Sequence, residues 1–236
     1  MARHSHWHNI QITKGKADKK RAKVFGRFTR GITISAKEGG GDPNFNVRLR
    51  VAIEAAKAVN VPKDNIDRAI ARGTGTGEGG ALAEVIYEAY APGRVATMIV
   101  CTTDNRNRTS GDVKNIVTKY GGTMASPGTF AFLFDRKAVV TLAETPSRRE
   151  EFDLIVIDAG ADDLEEDGES LRVIGSPKHL AQLSEAVEHA GGQVSSAVLE
   201  FIPKDTVIVS HLEELEAFLS ALDELDDVDE VFVNAE

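Results

Sequence analysis

Gly73-Thr74-Gly75-Thr76-Gly77-Glu78-Gly79-Gly80-Ala81 divides this chain into two kinds of sequence. The stretch is mostly glycine and reads as a flexible linker. Upstream of it, apolar residues recur with a helical period; downstream they alternate as in strands. The charge changes sign at the same place. Residues 1–75 hold 16 Lys and Arg against 6 Asp and Glu, a net of +10, and residues 76–236 hold 12 against 31, a net of −19, which together make the −9 of the whole chain. The overall pI of about 5.3 therefore hides a basic module joined to an acidic body. Such sorting points to a polyanion partner at one end and a different surface at the other. The stretch also contains Gly75-Thr76-Gly77-Glu78-Gly79-Gly80, a match to G-x-G-x-x-G. A dinucleotide site needs that pattern after a strand and at the start of a helix. Here it follows a helix and precedes a strand, so the linker reading stands.

Working upstream, residues 13–72 read as helices. Phe25, Phe28 and Ile32 form an apolar stripe at i, i+3 and i+7, with Lys20, Lys23, Arg27 and Arg30 among the other positions. Gly39-Gly40-Gly41-Asp42-Pro43 ends that helix, because the glycines supply a left-handed stop and proline cannot sit in a helix interior. A second helix is expected over about 46–59, and Pro62 opens a short third one.

Working downstream, strands are expected at 84–90 and 95–102, joined by the turn sequence Ala91-Pro92-Gly93-Arg94. Further strands are expected at 129–134, 138–142, 170–174, 197–202, 206–209 and 228–233, and helices at about 110–120, 147–158, 177–190 and 211–224. This alternation predicts α+β domains of the split βαβ kind, with acidic residues on solvated helices and turns. The pairs Glu165-Glu166 and Asp226-Asp227 read as such turns.

No run approaches the roughly 18 apolar residues of a membrane span. The start, Met1-Ala2-Arg3-His4, lacks the apolar centre of a secretion signal. It is basic like a mitochondrial presequence, but its Trp and three His argue against one. With the single Cys101 unable to form an internal disulfide, the expected location is a reducing cytoplasm, with no membrane association.

His4, His6 and His8 alternate, but no Cys, Asp or Glu lies nearby to complete a metal site, so no metal is expected. Trp7 is read as a packing anchor, with stacking on a base as the alternative. Asp104-Asn105-Arg106-Asn107-Arg108-Thr109 lies between a strand and a helix. Its polar side chains suit an N-terminal cap. Arg106 and Arg108 beside a positive helix start equally suit a phosphate. No nucleophile, base and acid are arranged for catalysis, so no enzyme and no cofactor are expected.

Taken together, these residues resemble the YebC/PmpR family, which includes the mitochondrial translational activator of cytochrome c oxidase. The resemblance rests on His4-Ser5-x-Trp7-x-Asn9-Ile10, Lys14, Asp18-x-Lys20-Arg21-x-Lys23 and Gly39-Gly40-Gly41-Asp42-Pro43. It continues through Leu49-Arg50, Pro62-Lys63-Asp64-Asn65-Ile66, Tyr87-Glu88-x-Tyr90-x-Pro92-Gly93, Thr103 to Thr109, and Asp227-Val228-x-x-Val231. It covers essentially the whole chain. Departures are His6 in place of a usual Lys, Gln11-Ile12-Thr13 in place of a basic stretch, and Arg94 in place of a usual Gly.

The resemblance implies an N-terminal helical domain followed by two ferredoxin-like α+β domains, one inserted in the other. The expected spans are 1–75, then 82–136 with 205–236, with 137–204 inserted. It implies a DNA-binding transcriptional regulator or, alternatively, a ribosome-associated translation factor acting on ribosomal RNA. The nucleic-acid contacts expected from charge are Lys14, Lys16, Lys19, Lys20, Arg21, Lys23, Arg27 and Arg30, joined by Arg106 and Arg108. A lysine- and arginine-rich helix positions phosphates without specifying bases, which favours structured RNA or weakly specific DNA. The acidic body is expected to meet the ribosome or another protein. A pure protein-interaction module is the remaining alternative.

Overall fold

The computed structural model describes residues 17–235 apart from Gly79, Glu169 and Ser210, and of residues 17–21 and Asp167 the backbone alone. Helices α1 (Ala17–Gly39), α2 (Val47–Ala58) and α3 (Lys63–Gly73) come first. They are followed by β1 (Ala83–Tyr90), β2 (Ala96–Thr103), α4 (Arg106–Lys119), β3 (Thr123–Met124), β4 (Phe134–Leu142) and α5 (Arg149–Asp158). The chain continues through β5 (Ala161–Asp167), β6 (Ser170–Gly175), α6 (Leu180–His189), β7 (Val194–Pro203), α7 (Leu212–Asp223) and β8 (Val228–Val233). By packing, the described residues divide into two compact units, one drawn from 17–27, 82–135 and 201–235, the other from 28–81 and 136–200.

In the second unit, Asn46 joins two helices. Its Oδ1 accepts the Leu49 N–H at 3.0 Å, and its Nδ2 donates to the carbonyls of Ser35 and Gly40, both at 2.8 Å. One side chain thus closes α1 and caps α2. Gly40, at φ +87°, makes the left-handed stop expected of the glycine run. Thr33 Oγ1 donates to the Ala69 carbonyl at 3.1 Å, tying α1 to α3.

The expected linker is, through Gly77, a capped helix end. The amides of Thr76 and Gly77 both donate to the Ala71 carbonyl at 2.9 Å. Arg72 grips the Gly80 carbonyl with Nε at 3.0 Å and Nη2 at 2.8 Å. The glycines answer geometry rather than mobility: Gly75 has φ +76°, and a Cβ on Gly73 would stand 2.4 Å from the Thr33 carbonyl oxygen.

The first unit holds a sheet of order β3-β1-β2-β8. β1 and β2 pair antiparallel from Ala83↔Thr103 to Tyr90↔Ala96. The connecting turn is too short for a helical crossover, so the two strands must form a hairpin. β2 is buried along nearly its whole length, as a central strand should be. Ile99 and Cys101 pack with Val113 and Val117 of α4 and Phe218 and Leu222 of α7. A second cluster gathers Met98, Phe130 and Phe134 with Phe201 and Phe232.

The second unit's sheet has the order β5-β6-β4-β7. Val140 and Leu142 pack with Phe152 and Val156 of α5, Leu183 and Val187 of α6, and Val47 and Val51 of α2. In chain order this sheet reads β-α-β-β-α-β, the split βαβ pattern, and it lies in sequence between β3 and β8. The first sheet departs from that pattern, because its two central strands are consecutive.

Three strand expectations need correction. Residues 129–133 are turn, and β4 begins at Phe134. Glu88 is the cause: its buried carboxylate accepts the Gly128 N–H at 2.5 Å and the Phe130 N–H at 2.7 Å, curling the segment inward. Residues 206–209 make one isolated bridge, Val207 to Ala235. Conversely, Glu165 and Glu166 lie on β5, not in a turn. This acidic strand is held by cations opposite it, Lys137 at 2.8 Å from Asp162, Arg172 at 2.9 Å from Glu165 and Arg149 at 2.8 Å from Glu166. Charge on an edge strand also guards against edge-to-edge pairing. Among the described residues, no helix is long and apolar enough to cross a membrane.

Candidate nucleic-acid interface

The basic residues expected to meet nucleic acid fall into two groups. Lys14, Lys16 and Trp7, with His4, His6 and His8, lie outside the described residues. Lys19, Lys20, Arg21, Lys23, Arg27 and Arg30 all lie on α1. In the first unit, two of these cations face the C-terminal end of α7. Arg27 Nη1 stands 3.6 Å from Asp223 Oδ1, and Lys23 Nζ 4.0 Å from Asp223 Oδ2. Burial lowers the Lys23 ammonium below its ordinary value of 10.5, with Asp223 pulling the other way. Asp223 itself is 63% exposed, so these are solvated pairs of small individual worth. Sequence gave no sign of Asp223, which lies about two hundred residues from its partners along the chain.

The second group surrounds the start of α4, and here the cap reading is observed. Asn105 Oδ1 accepts the Arg108 N–H at 3.1 Å. The Arg108 side chain turns to Asp227, with Nη2 2.7 Å from Oδ2 and 3.3 Å from Asp104 Oδ1. The buried Thr109 hydroxyl reaches the same Asp227 oxygen at 2.7 Å, and Thr103 Oγ1 lies 3.2 Å from it. Thr103 Oγ1 also accepts the Asn105 N–H at 2.9 Å. Partial burial pushes the Asp227 carboxyl up, but hydrogen bonds from Thr109 and Arg108, the Arg108 charge and the Thr103 hydroxyl outweigh it. The carboxyl is held below its ordinary 3.8. Asp227, read from sequence as part of a solvated turn, is therefore the centre of a hydrogen-bonded lock. Arg106, at the first position of the same helix, is exposed, and its carbonyl accepts the Tyr87 hydroxyl at 3.2 Å. The arrangement gives the two arginines different surroundings: Arg108 is committed to Asp227, and Arg106 is presented outward.

Comparison with known proteins gives this geometry its context. The N-terminal domain of TACO1/YebC proteins matches residues 5–76, and their second and third domains match residues 82–235. The chain belongs to the TACO1/YebC family. A relative from Persephonella marina is 45% identical over all of this chain and 96% of its own length. Another, from Kosmotoga olearia, is 42% identical over all of this chain and 94% of its own. Both are named probable transcriptional regulatory proteins. The crystal structure of a conserved hypothetical protein from Aquifex aeolicus superposes with a TM-score of 0.85 at 40% identity, covering 98% of this chain and 97% of that one. In this TACO1/YebC chain, no group of three or more His, Cys, Asp or Glu among the described residues could hold a metal ion.

Proposed function

We propose that this chain is a non-enzymatic regulator of gene expression that binds nucleic acid through its basic N-terminal helices. The observation that carries the reading is the net +10 on residues 1–75 beside a body of net −19. Polyanion contact is concentrated on one module, and the acidic body repels non-specific nucleic acid. The names of the relatives support a role in transcription. The contacts are the cations of α1, together with Lys14, Lys16 and the outward Arg106, with Arg108 positioning the loop. The three-part division into 1–75, 82–136 with 205–236, and 137–204 belongs to this proposal, as does a cytoplasmic location, which suits the single buried Cys101.

A second reading has ribosomal RNA as the target. The Lys and Arg of Ala17–Gly39 suit phosphates, which position a strand without specifying bases and which RNA and DNA share. The test is titration of the full chain against promoter DNA and ribosomal RNA across a salt series. Four to six phosphate contacts give a slope of log K against log salt of roughly −3 to −5. Replacing Lys19, Lys20 and Lys23 by Gln flattens it by about 2 to 3. Salt-independent affinity, or none for either polymer, would leave only a protein partner.

A further inference from the structure

In the second unit, the loop between α1 and α2 carries Phe45 at 88% exposure. A large apolar side chain gains nothing for folding there. Yet the loop that presents it is closely held. Asp42 Oδ1 accepts from the Asn44 amide and side chain, both at 2.9 Å. The Asp42 carbonyl accepts the amides of Phe45 at 3.2 Å and Asn46 at 3.0 Å. Asn46 then pins the loop to both helices through the three bonds described above. The ring is thus displayed from a fixed backbone, which limits the ordering cost of any contact it makes.

Beside it lies a cleft of about 340 Å³. Val47, Leu180, Ala181 and Ala197 give it apolar walls, while Arg48, Lys178 and Glu185 bring charged side chains to its lining. Arg48 is bonded to Glu38, and Lys178 is exposed on the single turn of 3-10 helix that precedes α6. An apolar slot beside an aromatic ring, with both donors and an acceptor at hand, matches a flat heterocycle with a polar edge. It matches an aliphatic side chain less well, since that would use the apolar walls and none of the polar groups. The loop follows α1 in the chain, and the cations of that helix expected to meet phosphate, Lys19 to Arg30, lie mainly in its first half.

We infer that Phe45 and this cleft form a site for one unpaired base of single-stranded nucleic acid, the ring stacking on the base and Lys178 meeting its phosphate. The inference rests on the nucleic-acid reading and deepens it: α1 supplies charge, and Phe45 makes the module sensitive to unstacked bases. A fully paired duplex offers no free base face, so it gains nothing from this site.

The test uses the full chain with labelled single-stranded oligoadenylate, its abasic counterpart and a duplex of the same length. Phe45→Ala should weaken oligoadenylate binding about 5- to 100-fold, the worth of a base stacked on an aromatic ring. The salt slope should stay unchanged, as should binding of the abasic strand and the duplex. Phe45→Trp should restore binding, and Phe45→Leu should not. Thermal midpoints of all three variants should match the parent, because the ring is exposed. If Phe45→Ala binds every probe as the parent does, or loses the abasic strand equally, base stacking is wrong while the phosphate grip survives. If Phe45→Leu keeps full affinity, the contact is apolar burial and not ring stacking, and the stacking site is wrong. If the parent binds none of the probes, the nucleic-acid reading and this site fall together.

Discussion

Arg108 Nη2 lies 2.7 Å from Asp227 Oδ2, so the first turn of α4 is fastened to the residue that precedes β8, 119 positions away. The same carboxylate oxygen takes the Thr109 hydroxyl, and the Asp227 carbonyl accepts the Thr102 N–H at 2.9 Å. The C-terminal strand is thereby registered against β2 and α4 at once.

The lock should be visible as acid lability. Because the folded Asp227 carboxyl is held below 3.8, its contribution to stability is present above that value and is lost as pH falls through the lower folded value. Asp227→Asn should therefore be less stable than the parent at neutral pH by denaturant unfolding. The gap should close below about pH 4. A gap that stays constant into acid would mean that the charge is not what holds the site.

Arg106 and Arg108 should separate in behaviour. Arg106→Ala should lower nucleic-acid affinity and leave the thermal midpoint unchanged. Arg108→Ala should lower the midpoint, since it leaves Asp227 without its cation. Asn105→Ala should cost about 0.5–2 kcal/mol, the ordinary worth of an N-cap. Paired midpoint and binding measurements on the three variants check all of these, and equal midpoints for both arginine variants would dismiss the lock.

Asp223 should act as a brake on the basic helix. Asp223→Asn removes the anion that competes with phosphate for Lys23 and Arg27, and on the nucleic-acid reading it should raise affinity while the salt slope moves by less than about one. The pairs are solvated, so unfolding free energy should move by less than about 1 kcal/mol. Unchanged affinity would show that these two cations take no part in the grip.

Two glycines make a matched pair. At Gly73 a Cβ would stand 2.4 Å from the Thr33 carbonyl oxygen and 2.8 Å from Ala36 Cβ, so Gly73→Ala should destabilise by about 1–3 kcal/mol. Gly31, on the exposed face of α1, has nothing within 4 Å of such an atom. Gly31→Ala should stabilise by about 0.5–1 kcal/mol through helix propensity. Calorimetry of the two variants with opposite signs is the expected result.

Turn and cap chemistry was legible where it is local. The glycine stop at Gly40 and the cap at Asn105 were both readable from neighbouring residues. Arg94, expected from the resemblance to replace a Gly, has φ +63°, a left-handed position that favours glycine. The strand expected at 129–134 failed for the opposite reason. Thr-Phe-Ala-Phe-Leu-Phe has every local mark of a strand, and a carboxylate from Glu88, some forty residues earlier, overrides it. β5 was missed because its acids conceal the pattern, and only the facing cations of Lys137, Arg149 and Arg172 make it tolerable.

By itself, the sequence determined the helical start, the order of most later helices and strands, the sorting of charge and the family. All of these follow from periodicity, capping and composition, which act within a few residues. Only the tertiary structure decided what the charged groups do. It committed Arg108 to Asp227, set Lys23 and Arg27 against Asp223, turned Glu88 into an acceptor for two amides and left Phe45 in solvent. The physical reason is that Coulomb and hydrogen-bond energies depend on distance in space, and a fold brings together groups that the chain keeps far apart.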